Sequence, residues 1–359
     1  MQKNIDTNSN FRWVILAMTS LTGFVAMGFQ TTSLSALFSE IAKSVNLDLV
    51  QIGLVWGVSS VMGIFTTVIG GSLVDYFGTR RSIVTLCILI GITGALRGLA
   101  VDFWTLFLFS FLYGMVQPML SMNLVKLNRQ WFSSQQLGLA SGIMAAGFAT
   151  GLMLGSRFSA TVISPMLGGW RGVVILMGVL TALLGLLWMG IHPPVEKSKV
   201  KRPNLLLIFA NIRAVTQYHE LWIYALTRFG VVGLMRGVVG YVPTYLRTIG
   251  WDATNADTAI SLFFLASLIG VVPLSYLSDR IGNRRLVMTV GVTLMSIGTA
   301  LMFFAGDVFW AVMLAMVIGG CFFDTTMALT GAAITEVKGL DMTVSFPICC
   351  CKLITSNNI

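Results

Sequence analysis

The chain has 359 residues, of which 56% are hydrophobic and 10% are charged, and its mean hydropathy is +0.84. Soluble domains carry about 25% charged residues, and a water-soluble protein of this length cannot hide so much apolar surface. The composition therefore excludes a soluble protein and predicts one buried largely in lipid. The net charge of +9 does not indicate nucleic acid, because the basic residues lie mainly in the breaks on one side of the apolar segments.

Ten apolar segments are long enough to cross a membrane, which takes roughly 20 residues. The first is longer than a signal-peptide core and has no cleavage site after it, so we expect it to be retained. With the N-terminus inside, fifteen Lys and Arg residues fall on inner segments and three on outer ones. The positive-inside rule then predicts a cytoplasmic N-terminus. In chain order the predicted spans are 13–36, 50–71, 82–101, 103–125, 137–160, 172–191, 219–246, 256–277, 286–305 and 308–330.

A longer polar break between spans 6 and 7 predicts the domain organisation. It contains Pro193-Pro194 and the basic run Lys197–Arg202, which end the sixth helix. The predicted parts are a six-span bundle at 1–192, a cytoplasmic linker at 193–218, a bundle with spans 7–10 at 219–340 and an atypical tail at 341–359.

Two polar breaks repeat each other at an offset of 204 residues. The break after span 2 reads Gly71-Ser-Leu-Val-Asp75-Tyr-Phe-Gly78-Thr-Arg80-Arg81, and the break after span 8 reads Ser275-Tyr-Leu-Ser-Asp279-Arg-Ile-Gly282-Asn-Arg284-Arg285. Such a repeat predicts two parallel copies of one helical bundle, an architecture that mostly carries solutes across membranes.

These breaks resemble the signature of the major facilitator superfamily between spans 2 and 3, G-x-L-a-D-r-x-G-r-k-x-x-l. The resemblance implies an all-α polytopic membrane protein with two parallel six-helix bundles, the second incomplete, with about ten spans present. It also implies a secondary transporter that works by alternating access, with no enzymatic activity and no cofactor. In the family the break latches one conformation, whereas a solvated turn with head-group anchors is the alternative. The matching latch positions are Gly71, Asp75, Gly78, Arg80, Arg81, Asp279, Gly282, Arg284 and Arg285.

A narrower resemblance lies before span 5. The run Lys126-x-x-Arg129-Gln-Trp131-Phe132, followed by Gly138-Leu-Ala140-Ser-Gly142, is similar to superfamily members that move small anions, such as nitrate or cyanate permeases and organic-anion carriers. The basic residue that nitrate carriers have in span 2 is missing, because residues 51–70 contain no charge, which speaks against nitrate itself. Downstream, Gly147, Gly151 and Gly155 form one helix face, for which packing alone is the alternative explanation.

Ionisable groups within spans mark the candidate substrate site, because each costs about 2.5–3.5 kcal/mol to insert. Arg228 and Arg236 lie on span 7 and Asp324 on span 10, both spans that the resemblance places around a central cavity. Two interpretations stay open: Arg228 binds an anion, or it pairs with Asp324, which can otherwise carry a coupling proton. The repeat offset places Gln30 and Gln117 on the opposite wall, with interhelical hydrogen bonding as the alternative. Arg97, near the outer end of span 3, is expected to snorkel to the head groups.

Three functions are open at this point. The preferred one is transport of a small anion, the second is transport or efflux of a neutral or hydrophobic solute, and the third is a truncated, non-transporting remnant. The last is motivated by residues 341–359, which are too short and Pro-broken to form another span. The expected partners are the lipid bilayer, a small-molecule solute and a coupling proton or counter-ion, without nucleic acid. We expect a monomer in the plasma or inner membrane, with no catalytic or metal site.

Overall fold

The structure is a computed structural model that describes residues 11–132, 134–191, 219–306 and 308–335. Within those ranges all regular elements are helical, and ten helical segments are long and apolar enough to cross a membrane. The predicted all-α class and the ten predicted spans are therefore confirmed. The predicted linker and the predicted tail lie outside the described residues.

Spans 1 and 5 are interrupted, whereas the other spans of the first half are single helices. Span 1 consists of Phe11–Thr22, a π-helical stretch at Gly23–Phe29 and Gln30–Ala36, and is followed by the helix Phe38–Val45. Span 5 consists of Ser134–Phe158, a π-helical stretch at Ser159–Ile163 and the turn Ser164–Met166. Spans 2, 3, 4 and 6 are Leu49–Phe77, Thr79–Leu96 with a 3-10 turn at Arg97–Leu99, Phe103–Trp131 and Trp170–Gly190.

The second half provides four spans in the described residues. Spans 7, 8 and 9 are His219–Thr248, Ala253–Ile281 and Arg284–Ala305. Span 10 consists of Phe309–Cys321 and Phe323–Thr335, which meet at Phe322. Spans 4, 7 and 8 each contain one proline, at Pro118, Pro243 and Pro273 respectively.

The described residues cluster into two compact units. The first contains the described residues before 203 together with Val239–Leu265, so it includes the first six spans and the adjoining ends of spans 7 and 8. The second contains the described part of Pro203–Val238 and of Ala266–Ile359. The domain limits given by the sequence stay a prediction.

Glycines bring helices of the first unit into direct backbone contact. A Cβ atom at Gly151 of span 5 would lie 2.9 Å from the backbone nitrogen of Phe29 and 3.1 Å from Cα of Gly28, both in span 1. Gly147 and Gly155 likewise lie against Ser20 and Phe29. The four-residue glycine face therefore packs on span 1, which is the alternative that the sequence left open.

The turns between spans carry conformations that the sequence indicates. Gly78 and Gly282 occupy matching positions of the repeat and both have left-handed backbones, with φ of 82° and 69°, which glycine adopts without the strain a side chain would add. Asp102 caps span 4: its carboxylate accepts hydrogen bonds from the backbone N–H and the hydroxyl of Thr105, at 2.8 and 2.7 Å. These two hydrogen bonds lower the pKa of Asp102.

Candidate functional site

Arg228 on span 7 and Asp324 on span 10, which the sequence offered as a possible pair, do not form an ion pair in the described residues. Nη1 of Arg228 lies 3.5 Å from the carbonyl oxygen of Met327, and the guanidinium is exposed. The carboxylate of Asp324 instead accepts a 2.7 Å hydrogen bond from the hydroxyl of Ser267, whose oxygen also accepts the backbone N–H of Asp324. The structure therefore does not support the Arg228–Asp324 pair.

The other predicted substrate contacts are distributed over both units. Arg236 lies on span 7 in the second unit, eight residues beyond Arg228, and is half-buried. Gln117 is half-buried on span 4 of the first unit. Gln30 begins the helix after the π-helical stretch of span 1 and is buried, and its carbonyl oxygen lies 3.4 Å from the hydroxyl of Thr181 in span 6.

A cavity of about 650 Å³ lies between spans 7 and 9 of the second unit. Its lining combines polar side chains with apolar ones, including Tyr224 and Thr227 from span 7 and Thr289 and Thr293 from span 9. Arg285, one of the predicted latch residues, also lines it. Thr227 comes directly before Arg228 in span 7, so the cavity extends to the position next to Arg228.

The latch residues are described only in part. Arg80 donates a 2.6 Å hydrogen bond to the carbonyl oxygen of Met189, close to the end of span 6, and Arg81 is exposed. The bond to Met189 complements the negative end of the span 6 helix dipole. Gly71 lies in the last part of the span 2 helix, and the side chains of Asp75, Asp279 and Arg284 lie outside the described part of the structure, so the latch role stays a prediction.

A buried ion pair that the sequence did not indicate lies in the first unit. Nη2 of Arg247, at the end of span 7, is 2.6 Å from Oδ1 of Asp257 in span 8, and the Asp257 side chain is completely buried. Nη1 of Arg247 also donates to the hydroxyl of Ser39 at 2.7 Å and to the carbonyl oxygen of Ala36 at 3.1 Å. These contacts tie the ends of spans 7 and 8 to the end of span 1, and we call Arg247, Asp257 and Ser39 the clamp.

Replacing Arg247 with alanine is expected to lower the stability of the purified protein by about 3 kcal/mol, because it removes the counter-charge that is hydrogen-bonded to the buried Asp257 carboxylate. Thermal unfolding followed by tryptophan fluorescence measures the loss. The matched variant combines Arg247→Gln with Asp257→Asn, which removes both charges and is expected to recover most of the stability. Equal losses in the single and the double variant would contradict the assignment of the loss to the unpaired carboxylate.

Arg97 does not lie where the sequence placed it. The side chain is 2% exposed, and Cζ stacks 3.9 Å from the ring centroid of Tyr113 in span 4. The expectation that it snorkels to the head groups is therefore wrong. The last turn of span 3 directs the side chain into the bundle, where Tyr113 provides an aromatic face that attracts the cation.

Comparison with known proteins assigns the chain to a family. The family model described as Major Facilitator Superfamily matches residues 19–258 and 246–338. The chain is 26% identical over 293 residues to a nitrite extrusion protein of Bacillus subtilis, covering 80% of this chain and 71% of that protein. It is 23% identical over 320 residues to the probable nitrate/nitrite transporter NarK2 of Mycobacterium tuberculosis, covering 85% of this chain and 78% of that protein.

The fold agrees with that assignment. The crystal structure of the nucleoside transporter NupG superposes with a TM-score of 0.75 at 15% identity, covering 94% of this chain and 85% of that one. The family model spans most of the chain, and the repeated turn, the ten spans and the helical fold agree with it. The chain belongs to the Major Facilitator Superfamily, and it is an integral membrane transporter rather than an enzyme.

Proposed function

We propose that this protein moves a small anion across the cell membrane by alternating access, with its N-terminus in the cytoplasm. Arg228 is the central anion-binding residue in this proposal, and Arg236, Gln30 and Gln117 provide further polar contacts. The latch residues hold one conformation of the transport cycle. The protein acts as a monomer and uses a coupling proton or a counter-ion.

The proposal rests on the groups that surround the Arg228 guanidinium. A guanidinium inside a transmembrane span needs a compensating group, because an ionised side chain is costly there. In the described residues Arg228 contacts a backbone carbonyl at 3.5 Å and no carboxylate. A neutral carbonyl leaves the positive charge uncompensated, and an anionic solute is the natural counter-charge.

The relatives support the class of solute. The names of both curated relatives refer to nitrate or nitrite, which are small, delocalised anions. Span 2 of this chain has no charge in residues 51–70, in contrast to the basic residue that nitrate carriers have there. The proposal is therefore a small anion as a class, and nitrite, formate and small carboxylates are candidates beside nitrate.

Asp324 is proposed to carry the coupling proton. Its carboxylate bonds to the hydroxyl of Ser267, a neutral partner that can donate to the ionised form and accept from the protonated form. Because Arg228 does not pair with it, protonation of Asp324 breaks no ion pair in the described part of the chain.

Uptake by purified protein in liposomes tests the proposed function. Labelled nitrite and formate are each compared with a neutral solute of similar size, under an inward proton gradient. Saturable uptake of an anion and none of the neutral solute is the expected result. Uptake of neutral solutes alone would favour the second function, a carrier of neutral or hydrophobic molecules.

Replacing Asp324 with asparagine is expected to abolish accumulation driven by the proton gradient while exchange of anion for anion continues. The asparagine amide keeps the size of the aspartate side chain and the hydrogen bond to Ser267, but it does not gain or lose a proton near neutral pH. The two assays use the same liposomes, with and without internal unlabelled anion. Proton-driven accumulation at the parental level would rule out the role of Asp324.

A further inference from the structure

The cavity between spans 7 and 9 carries its charged group at one end. His219 and the exposed Arg285 line the end at which both helices begin. Residues 280–285, which lead into span 9, contain three arginines and no acidic residue. In the proposed orientation this end lies at the cytoplasmic surface of the membrane. The mouth of the cavity is therefore rich in positive charge at the level of the lipid head groups.

The rest of the wall is less polar than its composition indicates. The hydroxyls of Thr227, Thr289 and Thr293 each donate to the carbonyl oxygen four residues earlier in their own helix, at 2.9 Å. Because each proton is satisfied within the helix, these side chains offer the cavity a methyl group and a hydroxyl oxygen, with no donor. The aliphatic side chains of the wall are Ile223, Met288 and Val292.

The depth of the cavity is close to that of one leaflet of a bilayer. Its lining runs from His219 to Thr227 on span 7 and from Arg285 to Thr293 on span 9. Eight residue steps of a helix are about 12 Å, and half of a hydrocarbon core is about 15 Å. The side chains of Ile223 and Thr293 are exposed, so the cavity opens sideways and a molecule can enter it from the bilayer.

We infer that this cavity binds an anionic phospholipid of the cytoplasmic leaflet. The head group lies at Arg285 and His219, and part of one acyl chain lies along Ile223, Met288 and Val292. A guanidinium can donate two parallel hydrogen bonds to a phosphate group. A choline or ethanolamine head group would bring a second positive charge next to the arginines, so charge complementarity favours a lipid such as phosphatidylglycerol. The inference uses the proposed orientation of the chain but not the proposed solute.

Native mass spectrometry of the purified full-length protein tests the site by measuring the Kd of the first bound lipid. Phosphatidylglycerol and phosphatidylcholine with the same acyl chains are titrated separately. We expect phosphatidylglycerol to bind at least about fivefold more tightly, and Arg285→Gln to raise its Kd about fivefold, which is the contribution of one arginine near an anionic surface. The same variant should leave the Kd of phosphatidylcholine close to its parental value.

Two further variants separate the cavity from general surface charge. Arg81→Gln is the matched control, because Arg81 holds the position of Arg285 in the first copy of the repeated turn and is also exposed. It should leave both lipid affinities unchanged. Thr289→Trp keeps Arg285 but fills the cavity from an exposed position. The Kd of phosphatidylglycerol should then rise about tenfold, because the acyl chain is excluded.

Four results would overturn the site. Equal losses in Arg285→Gln and Arg81→Gln would show general attraction to surface charge, and unchanged binding in Thr289→Trp would place the lipid elsewhere. Equally effective competition by glycerol 3-phosphate would indicate a site for free phosphate esters. A dimer that Thr289→Trp dissociates would assign the cavity to a second copy of the chain. The measurement does not involve uptake, so each of these results leaves the proposed transport of an anion standing.

Discussion

Replacing Arg228 with alanine is expected to reduce anion uptake by about 100-fold, because it removes two or more charge-assisted hydrogen bonds to the solute. The protein should still insert and remain monodisperse, since Arg228 is exposed and its one described contact is a 3.5 Å bond to the Met327 carbonyl. Uptake of labelled nitrite or formate into liposomes measures the effect, with size-exclusion profiles as the check on folding.

Two further variants sharpen that experiment. Arg228→Lys keeps the positive charge and loses the planar fork, so partial uptake is expected. The combined charge reversal, Arg228→Asp with Asp324→Arg, distinguishes an anion-binding role of Arg228 from a structural role in a charge pair. A carrier of neutral solutes that needs only a charge pair would regain function, whereas an anion carrier would not. Parental uptake by Arg228→Ala would remove Arg228 from the site.

Replacing Gly151 with leucine is expected to abolish the folded protein. A Cβ atom there already lies 2.9 Å from the Phe29 nitrogen and 3.1 Å from Cα of Gly28. These are backbone atoms that cannot rotate away, so spans 1 and 5 have to separate, at a cost of about 3 kcal/mol or more. The measurements are the yield of monodisperse protein and the temperature of thermal unfolding.

The same helix offers the control for this change. A Cβ atom at Gly142 meets no atom within 4 Å, so Gly142→Leu is expected to leave yield and unfolding temperature close to parental values. A comparable loss in both variants would show that leucine is poorly tolerated in span 5 in general. It would then remove the close contact at Gly151 as the explanation.

The sequence predicts the spans and the repeated turn well, because length and hydropathy determine the first and glycine indicates the second. Gly78 and Gly282 are left-handed at matching positions, as a tight turn in both copies requires. The prediction from the sequence fails at Arg97. The position of a residue along a span gives its depth in the membrane but not the direction in which its side chain points around the helix axis. Span 3 has apolar residues on all sides, so no polar face indicates that this side chain points inward.

Contacts between distant helices are the other part that the sequence does not provide. Arg247 stands near a predicted outer break, where a head-group contact is the simple expectation, and its bonds to Ser39 and Ala36 depend on how span 1 packs. Likewise, the sequence allowed Arg228 to pair with Asp324, but it is Ser267 on span 8 that donates a hydrogen bond to the Asp324 carboxylate. In each case the deciding group belongs to a third helix.

The stacking of Arg97 on Tyr113 has a consequence for how the protein is made. A lone arginine raises the free-energy cost of releasing span 3 from the translocon into lipid by about 2.5–3.5 kcal/mol. A cation–π contact with a desolvated aromatic ring offsets about 2 kcal/mol of that cost. That partner is on the next span, after a turn at Ala100–Asp102. During biosynthesis, spans 3 and 4 should therefore leave the translocon together as a hairpin rather than one after the other.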